Sequence, residues 1–312
     1  MDETALRLGI SSCLLGERVR HDGGHKRDRF LTEVLGKLVE WVPVCPEVEI
    51  GMGTPREPVR LESDGDHIKM LGIETRTDWT DQMDDFSRTK ARFLEGHNLS
   101  GYIFKSRSPS CGLDVAIEAS GHRGQGKFSS AISLSLPLLP VEEETRLDEP
   151  AIRESFIERI FAYRRLEDFF AKRRTVGQVV MFNSQHRLQL QTHSVSGQKE
   201  LSQLVSEGTM LGWAHLRSRY RIAFMRILHM PATSRRHHSV LRHTRGHLES
   251  TLSFEDMQEI EESLAAYAEG AVPLLVPLTL LRHHVRTTKS PSLKGQTYLE
   301  PHPHELLLRN HV

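Results

Sequence analysis

Three cysteines are the residues of this sequence with the most distinctive chemistry. Cys13, Cys45 and Cys111 are 32 and 66 residues apart, so they form no local pair of the kind that redox and zinc motifs use. A single free cysteine is most often a small buried hydrophobe, but each of these three lies just beyond a predicted strand. Because loops at the carboxyl ends of parallel strands open into one crevice, we expect the three thiols to meet there.

Three thiolates without a fourth cysteine are compatible with two kinds of metal centre. One is a zinc site completed by a histidine, for which His21 and His25 are candidates. The other is an iron–sulfur cluster in which one iron has no protein ligand. A buried thiolate needs a positive partner to remain ionised, and either metal supplies one. An open coordination position would make such a centre a site of chemistry.

The elements that would position these cysteines alternate between short apolar runs and helical patterns. This alternation is typical of repeated strand–helix–strand units. The first half is therefore predicted to be an α/β domain with an open, mainly parallel sheet and helices on both faces. We predict strands at 6–11, 42–44, 68–73, 102–104 and 131–139, and helices at 28–40 and 77–97.

The second half carries helical patterns almost throughout, so an all-α helical domain is predicted to follow the sheet domain. The acidic, proline-bounded stretch 138–150 marks the boundary and gives domains 1–149 and 150–312. The tail 287–312 is rich in proline and is predicted to be an extended arm. The predicted helices lie at 152–171, 176–193, 197–207, 212–228, 235–252, 254–269 and 273–285.

The two predicted domains differ in charge. Residues 1–149 hold 19 basic and 26 acidic side chains, whereas residues 150–312 hold 22 basic and 15 acidic ones. Of the 22 basic residues, 18 are arginine, which is suited to forked phosphate contacts. Clusters of arginine on helices indicate an RNA partner, although charge runs are often only solvated surfaces. As a further alternative, His237, His238, His243 and His247 have near-helical spacing and could bind a metal.

Composition excludes several classes of protein. The longest apolar stretches are about ten residues long, well short of the roughly 20 needed to cross a bilayer. The amino-terminal residues lack the basic start and apolar core of a secretion signal, so we expect a cytoplasmic protein. Three cysteines in 312 residues also exclude a disulfide scaffold.

Five short motifs in the first half carry a resemblance to a known family. They occur in the expected order, contain all three cysteines, and are similar to the motifs of the thiouracil desulfidase family over roughly residues 7–140. Residues 153–159 (RESFIER) begin a region that resembles the YbgA-like helical domain fused to such enzymes in tRNA 4-thiouridine desulfidases. The motifs are 11–16 (SSCLLG), 20–25 (RHDGGH), 44–47 (VCPE), 54–56 (TPR) and 108–112 (SPSCG).

The resemblance implies a cofactor and a set of site residues. It implies a 4Fe-4S cluster on Cys13, Cys45 and Cys111 whose fourth iron takes the thiocarbonyl sulfur of the base. Glu47, two residues after Cys45, matches the family's catalytic glutamate, and Ser108 matches its functional serine. We also expect substrate contacts from four neighbouring side chains: Ser12, Arg56, Lys105 and Ser110.

The sequence therefore predicts an enzyme that removes sulfur from 4-thiouridine in tRNA and releases hydrogen sulfide. The first alternative is a desulfidase of free thiouracil-type bases. The second is a non-catalytic RNA-binding protein in which the cysteines hold structural zinc. We expect no ATP site, because the glycine-rich stretch 121–127 lacks the spacing of a phosphate-binding loop.

Overall fold

The fold is described from a computed structural model, which covers residues 6–65, 67–288 and 293–309. The described chain forms two compact units, which divide between Arg164 and Arg165. The predicted boundary at 149/150 coincides with the start of the helix Pro150–Phe170, which contributes residues to both units.

A parallel sheet forms the centre of the first unit, as the sequence predicts. Its strands follow the order β2 (Val39–Val44), β1 (Leu6–Ser11), β5 (Leu99–Phe104) and β8 (Val141–Glu143), and all three pairings are parallel. All six residues of β5 are buried, because the strand has a neighbour on each side and helices cover the sheet. The strands of the unit are β1 (Leu6–Ser11), β2 (Val39–Val44), β3 (Val59–Asp64), β4 (His67–Gly72), β5 (Leu99–Phe104), β6 (Val115–Glu118), β7 (His122–Gly124) and β8 (Val141–Glu143).

A second, mixed sheet was not predicted from the sequence. It has the order β4-β3-β6-β7, and only the β3–β6 pair is parallel. β6 alternates buried Val115 and Ile117 with exposed neighbours, so one face covers a small core that includes Leu61 and Met83. Four residues of such alternation are too few to identify a strand in a sequence.

Two elements of the first unit differ from the sequence prediction. The predicted last strand at 131–139 is wrong, because the chain forms a helix at Lys127–Ser135 and the last strand is β8. Phe128 and Ile132 share the buried face of that helix, whereas Leu134 is 79% exposed. The predicted helix 28–40 is reduced to a π turn and a 3-10 turn. The first unit contains α1 (Pro46–Glu49), α2 (Thr80–Glu95), α3 (Lys127–Ser135) and the part of α4 (Pro150–Phe170) up to Arg164, and the two turns are Phe30–Val34 and Leu35–Lys37.

The second unit is helical, which confirms the predicted order of an α/β region and then an all-α region. The predicted helix 176–193 is broken at His186, whose ψ of 2° is not helical. The extended arm is wrong for the described part of the tail, because Leu293, Tyr298 and Leu308 are buried. No helix in the described residues is long and apolar enough to span a bilayer. The helices are α5 (Val176–Gln185), α6 (Arg187–His193), α7 (Val195–Ser206), α8 (Gly208–Leu211), α9 (Trp213–His229), α10 (Ser234–Gly246), α11 (Phe254–Ala268), α12 (Leu275–Thr288) and α13 (Pro303–Arg309).

Candidate metal centre

The three cysteines line a single cavity of 670 Å³ in the first unit. Cys13 lies in a 3-10 turn directly after β1, Cys45 lies between β2 and α1, and Cys111 follows β5. β1, β2 and β5 are parallel neighbours, so their carboxyl ends lie at one edge of the sheet. The topology therefore brings together three thiols that are far apart in the sequence.

All three thiols are held in the neutral form by their surroundings. Burial, followed by the nearby Cys45, raises the pKa of Cys13 to about 12. Burial likewise raises the pKa of Cys45 and raises that of Cys111 well above its usual value, although a hydrogen bond from Ser11 opposes the shift at Cys111. Three thiolates in this cavity therefore need added positive charge, which a bound metal supplies.

The donor set fits a metal group that binds sulfur. All three cysteines are free, and soft thiolate ligands select zinc, copper(I) or iron–sulfur clusters. His21 lines the cavity with them, whereas His25 does not. Among residues 6–65, 67–288 and 293–309, no group of three or more His, Cys, Asp or Glu side chains has the arrangement of a single-ion site.

Glu47 lies in the first turn of α1 and is fixed by partners on both of its oxygens. Oε1 accepts a hydrogen bond from Ser110 Oγ at 2.6 Å, and Oε2 accepts two from Arg56, at 2.9 Å from Nε and 2.5 Å from Nη2. Ser108 Oγ is 3.5 Å from Oε1. The Glu47 side chain is 13% exposed and lines the cavity, so it is a positioned carboxylate beside the thiols.

Arg56 lines the cavity, but its donors point to the protein. Besides Glu47, it donates from Nη1 to Val19 O at 3.0 Å and to Gly53 O at 2.8 Å. Its side chain is only 5% exposed. The structure thus shows Arg56 as the partner of Glu47, and the substrate contact expected from the sequence stays a prediction.

Lys105 is engaged in the same way on another wall of the cavity. Its Nζ donates to Glu144 Oε1, and also to Ser106 O at 3.1 Å and Ser106 Oγ at 3.0 Å. Because an ammonium group has three protons, these contacts occupy all of its donors. The substrate contact expected of Lys105 stays a prediction.

The predicted serines lie in different surroundings. Ser12 and Ser108 line the cavity, whereas Ser110 has no exposed surface and lies behind Glu47. Ser108 Oγ accepts hydrogen bonds from the amides of Ser110 and Cys111, at 3.3 and 3.2 Å. Ser108 therefore shapes the loop that carries Cys111, while Ser110 reaches the site only through Glu47.

Several cavity residues were missed in the sequence. Glu144 lines the cavity and is buried, yet it belongs to a stretch that was interpreted as an acidic boundary between domains. The signal that identifies it is the position of three consecutive acids directly after the apolar run that leads into β8. Arg20, Lys26 and Arg107 also line the cavity, and Arg107 adopts a left-handed backbone conformation with φ 58°.

The four histidines of the alternative metal site do not converge. His237 is buried, and its Nδ1 is 2.9 Å from the hydroxyl of Tyr298. His243 and His247 form a pair of their own, with their Nε2 atoms 3.2 Å apart. These contacts account for three of the four side chains without a metal.

Some arginines of the second unit are paired, and others are exposed. Arg221 contacts Glu167 and Arg245 contacts Glu261, so neither is available to a partner without breaking an ion pair. The exposed arginines on α9 and α10 include Arg217, Arg219, Arg235, Arg236 and Arg242.

A parallel sheet whose carboxyl edge carries three free thiols and a fixed carboxylate defines an α/β protein with a sulfur-lined cavity. A family model described as 2-thiouracil desulfurase matches residues 8–144, and one described as a protein of unknown function (DUF1722) matches residues 187–303. The chain belongs to the 2-thiouracil desulfurase family, to which a second, helical region is joined.

Three proteins are similar to parts of this chain. The uncharacterized protein YbgA of Escherichia coli (strain K12) is 28% identical over 160 residues, which are 50% of this chain and 94% of YbgA. The uncharacterized protein YbbK of Bacillus subtilis (strain 168) is 35% identical over 112 residues, which are 33% of this chain and 71% of YbbK. A solved structure, titled 4Fe-4S-dependent thiouracil desulfidase TudS, is 28% identical with a TM-score of 0.39 and covers 46% of this chain and 93% of its own.

Proposed function

We propose that this protein removes sulfur from 4-thiouridine in tRNA, giving uridine and hydrogen sulfide. The observation that carries the proposal is the meeting of Cys13, Cys45, Cys111 and Glu47 in one cavity of a chain from the 2-thiouracil desulfurase family. The overall change exchanges the sulfur of a thiocarbonyl for the oxygen of water. Neither carbon nor sulfur changes oxidation state, so the reaction needs no external electron donor.

The three thiolates would hold a 4Fe-4S cluster that keeps one iron without a protein ligand. Such a cluster supplies a thiophilic Lewis acid that draws electron density from the thiocarbonyl carbon and makes it open to attack by water. The chain provides three sulfur ligands in the cavity, and burial raises the pKa of each thiol, so the thiolate forms need added positive charge. This need is the property of the site that favours a resident metal group.

Glu47 is the group that would accept a proton from the attacking water. Its carboxylate lines the cavity, and Arg56 and Ser110 hold it in one orientation. General base catalysis depends on such positioning because the acceptor must lie within hydrogen-bond reach of the water. Ser108, with its Oγ 3.5 Å from Glu47, is placed to hydrogen bond the same water or the base. Ser12 lines the cavity and would contact the substrate.

The second unit would hold the tRNA. Exposed arginines on α9 and α10 supply charge for phosphate contacts, which are the usual source of sequence-independent RNA affinity. Phe254 is a large exposed aromatic, but aromatic side chains are otherwise few, so we expect contacts to the backbone more than base stacking. A tRNA substrate also agrees with the cytoplasmic location expected from the sequence.

One experiment separates the proposal from its alternatives. Protein purified and reconstituted without oxygen is offered thiolated tRNA and, separately, free 4-thiouracil, and loss of the near-ultraviolet thiocarbonyl band is followed. We expect turnover of tRNA by the wild type, and at least a hundredfold loss in Glu47→Gln with unchanged iron content and tRNA binding. Turnover of the free base alone would favour the first alternative. A colourless zinc protein that binds tRNA and turns over neither substrate would favour the second alternative, a non-catalytic RNA-binding protein.

A variant with Arg217, Arg219, Arg235 and Arg242 replaced by Gln tests the role of the second unit. Its affinity for tRNA should fall. The slope of log K against the logarithm of the salt concentration should become less steep by about three for four lost phosphate contacts. Turnover of free base, if present, should not change. The control is a variant in which exposed cations of the first unit, Arg88 and Arg123, are replaced by Gln.

A further inference from the structure

Three consecutive glutamates in and directly after β8 are buried to the same degree. Glu142, Glu143 and Glu144 are each 7% exposed, and they follow the apolar run that leads into β8. Carboxylates are seldom buried without a partner, because removing their charge from water costs several kcal/mol. Their partners therefore indicate what each of them does.

Glu143 and Glu144 hold the two ends of one loop. Glu144 Oε2 accepts a hydrogen bond from the amide of Ser106 at 2.6 Å, and its Oε1 accepts one from Ser106 Oγ at 2.8 Å. Glu143 Oε1 accepts hydrogen bonds from the amides of Leu113 at 2.7 Å and Asp114 at 3.4 Å. Bonds between a carboxylate and a backbone amide are about twice as strong as neutral ones.

The segment between these contacts carries two residues of the site. Ser108 and Cys111 both line the cavity, and the loop that holds them begins directly after β5. Glu142 differs from its neighbours because its side chain contacts Arg146 and Arg159 and not the loop. Two of three adjacent acids thus hold the same short segment, one at each end.

We propose that Glu143 and Glu144 are positioning residues, which clamp the loop 106–114 and thereby present Cys111 and Ser108 to the cavity. The clamp depends on the proposed function only for the roles of Cys111 and Ser108 in the reaction. Its effect on the position of Cys111 is present in the metal-free protein and can be measured there.

Alkylation of metal-free full-length protein tests the clamp. The rate of modification by iodoacetamide is followed at Cys111 and at Cys13 by peptide mass spectrometry. Loss of the Leu113 contact in Glu143→Ala frees the loop, so Cys111 should react roughly tenfold faster while Cys13, on a different strand end, is unchanged. Glu143→Asp, which keeps the charge but shortens the reach, should behave like Glu143→Ala and serves if the alanine variant does not fold.

Conservative variants distinguish positioning from general stability. Glu143→Gln should keep Cys111 at the wild-type alkylation rate. Both backbone amides donate their hydrogen bonds to one oxygen of Glu143, and glutamine retains such an oxygen. Glu144→Gln should preserve this rate only in part, because Glu144 uses both oxygens. Glu142→Gln is the matched control and should leave Cys111 unchanged.

Reconstitution with iron and sulfide gives a second measurement. Glu143→Ala should have a weaker visible absorption band per chain than the wild type, and Glu143→Gln should recover it. The proposal is overturned if Cys111 is no more reactive in Glu143→Ala than in the wild type, or if Cys111 and Cys13 accelerate equally with a lowered Tm. If the protein proves to hold no cluster, the alkylation rates still test the clamp, so its failure and that of the proposed function are distinguishable.

Discussion

Ser110 donates its hydroxyl to Glu47 Oε1 across 2.6 Å, although Ser110 itself has no exposed surface and does not line the cavity. The bond joins the loop after β5 to the first turn of α1, two segments that are 63 residues apart in sequence. The carboxylate expected to act on water is therefore oriented by the loop that carries a cysteine.

Ser110→Ala should lower turnover without removing the metal group. The change deletes one of the hydrogen bonds that orient Glu47, so we expect kcat to fall roughly tenfold with little change in KM. Iron content per chain and turnover are the measurements. Ser120→Ala, at a partly buried turn outside the cavity, is the control. An effect on KM alone would indicate that Ser110 contacts the substrate instead.

Arg56→Met should destabilise the first unit. It leaves the carboxylate of Glu47 in a largely buried site without its cation, and breaking such a pair costs about 3 kcal/mol. The free energy of unfolding in urea measures the loss. Arg88→Met breaks an exposed pair with Asp85 and should cost less than about 1 kcal/mol. Arg56→Lys should recover only part of the stability, since an ammonium group cannot make the forked contact.

Cys13 should be an unusually slow thiol in the metal-free protein. Because burial raises its pKa from 9.0 to about 12, the thiolate fraction at pH 8 is lower by about two to three orders of magnitude. Alkylation rates of the folded and urea-unfolded chains provide the comparison. The folded rate should continue to rise above pH 9. A plateau at that pH would contradict the raised pKa.

The same shift makes the stability of the metal-free protein depend on alkaline pH. The unfolded thiol ionises near its ordinary pKa of 9.0, whereas folded Cys13 stays protonated until about pH 12. The stabilisation is therefore complete below pH 9 and is lost as the pH rises from 9 toward 12. Urea unfolding at pH 8, 9 and 10 should show the decline, and Cys13→Ala should reduce its slope. An equal slope in both proteins would assign the decline to other groups.

Gly126→Ala should displace the loop that carries Cys111. Gly126 has an ordinary φ of −61°, so its role is spatial: an added Cβ would lie 2.6 Å from the backbone of Ser110. Because backbone cannot yield as a side-chain tip does, we expect a loss of about 1–3 kcal/mol in unfolding free energy and a lower iron content. Gly96→Ala, where the Cβ would be 3.6 Å from its nearest neighbour, is the control. Unchanged iron content in Gly126→Ala would mean that the loop can shift without affecting the site.

The parallel sheet was predictable from the sequence because its strands are apolar runs. Leu6–Ser11 forms β1 with the predicted bounds, and the pattern at 102–104 lies within β5. The run at 131–139 misled the prediction because alternating Ser and Leu residues have the period of a strand, while Phe128 and Ile132 are spaced as on a helix. The second sheet was missed although the predicted strand 68–73 is its strand β4, because β3 was not predicted and β6 and β7 are only four and three residues long.

The sequence by itself determined which residues we expect to carry the chemistry: three cysteines at strand ends, Glu47 beside one of them, and serines beside another. Tertiary structure decided how they are used. Arg56 and Lys105 are cations that the sequence suggests as substrate contacts, and in the structure they donate to Glu47 and Glu144. The reason is that burying a carboxylate without a partner costs free energy. Residue type and local spacing are fixed by the sequence, whereas partners 9 to 63 positions away are selected by the packing of strands and loops.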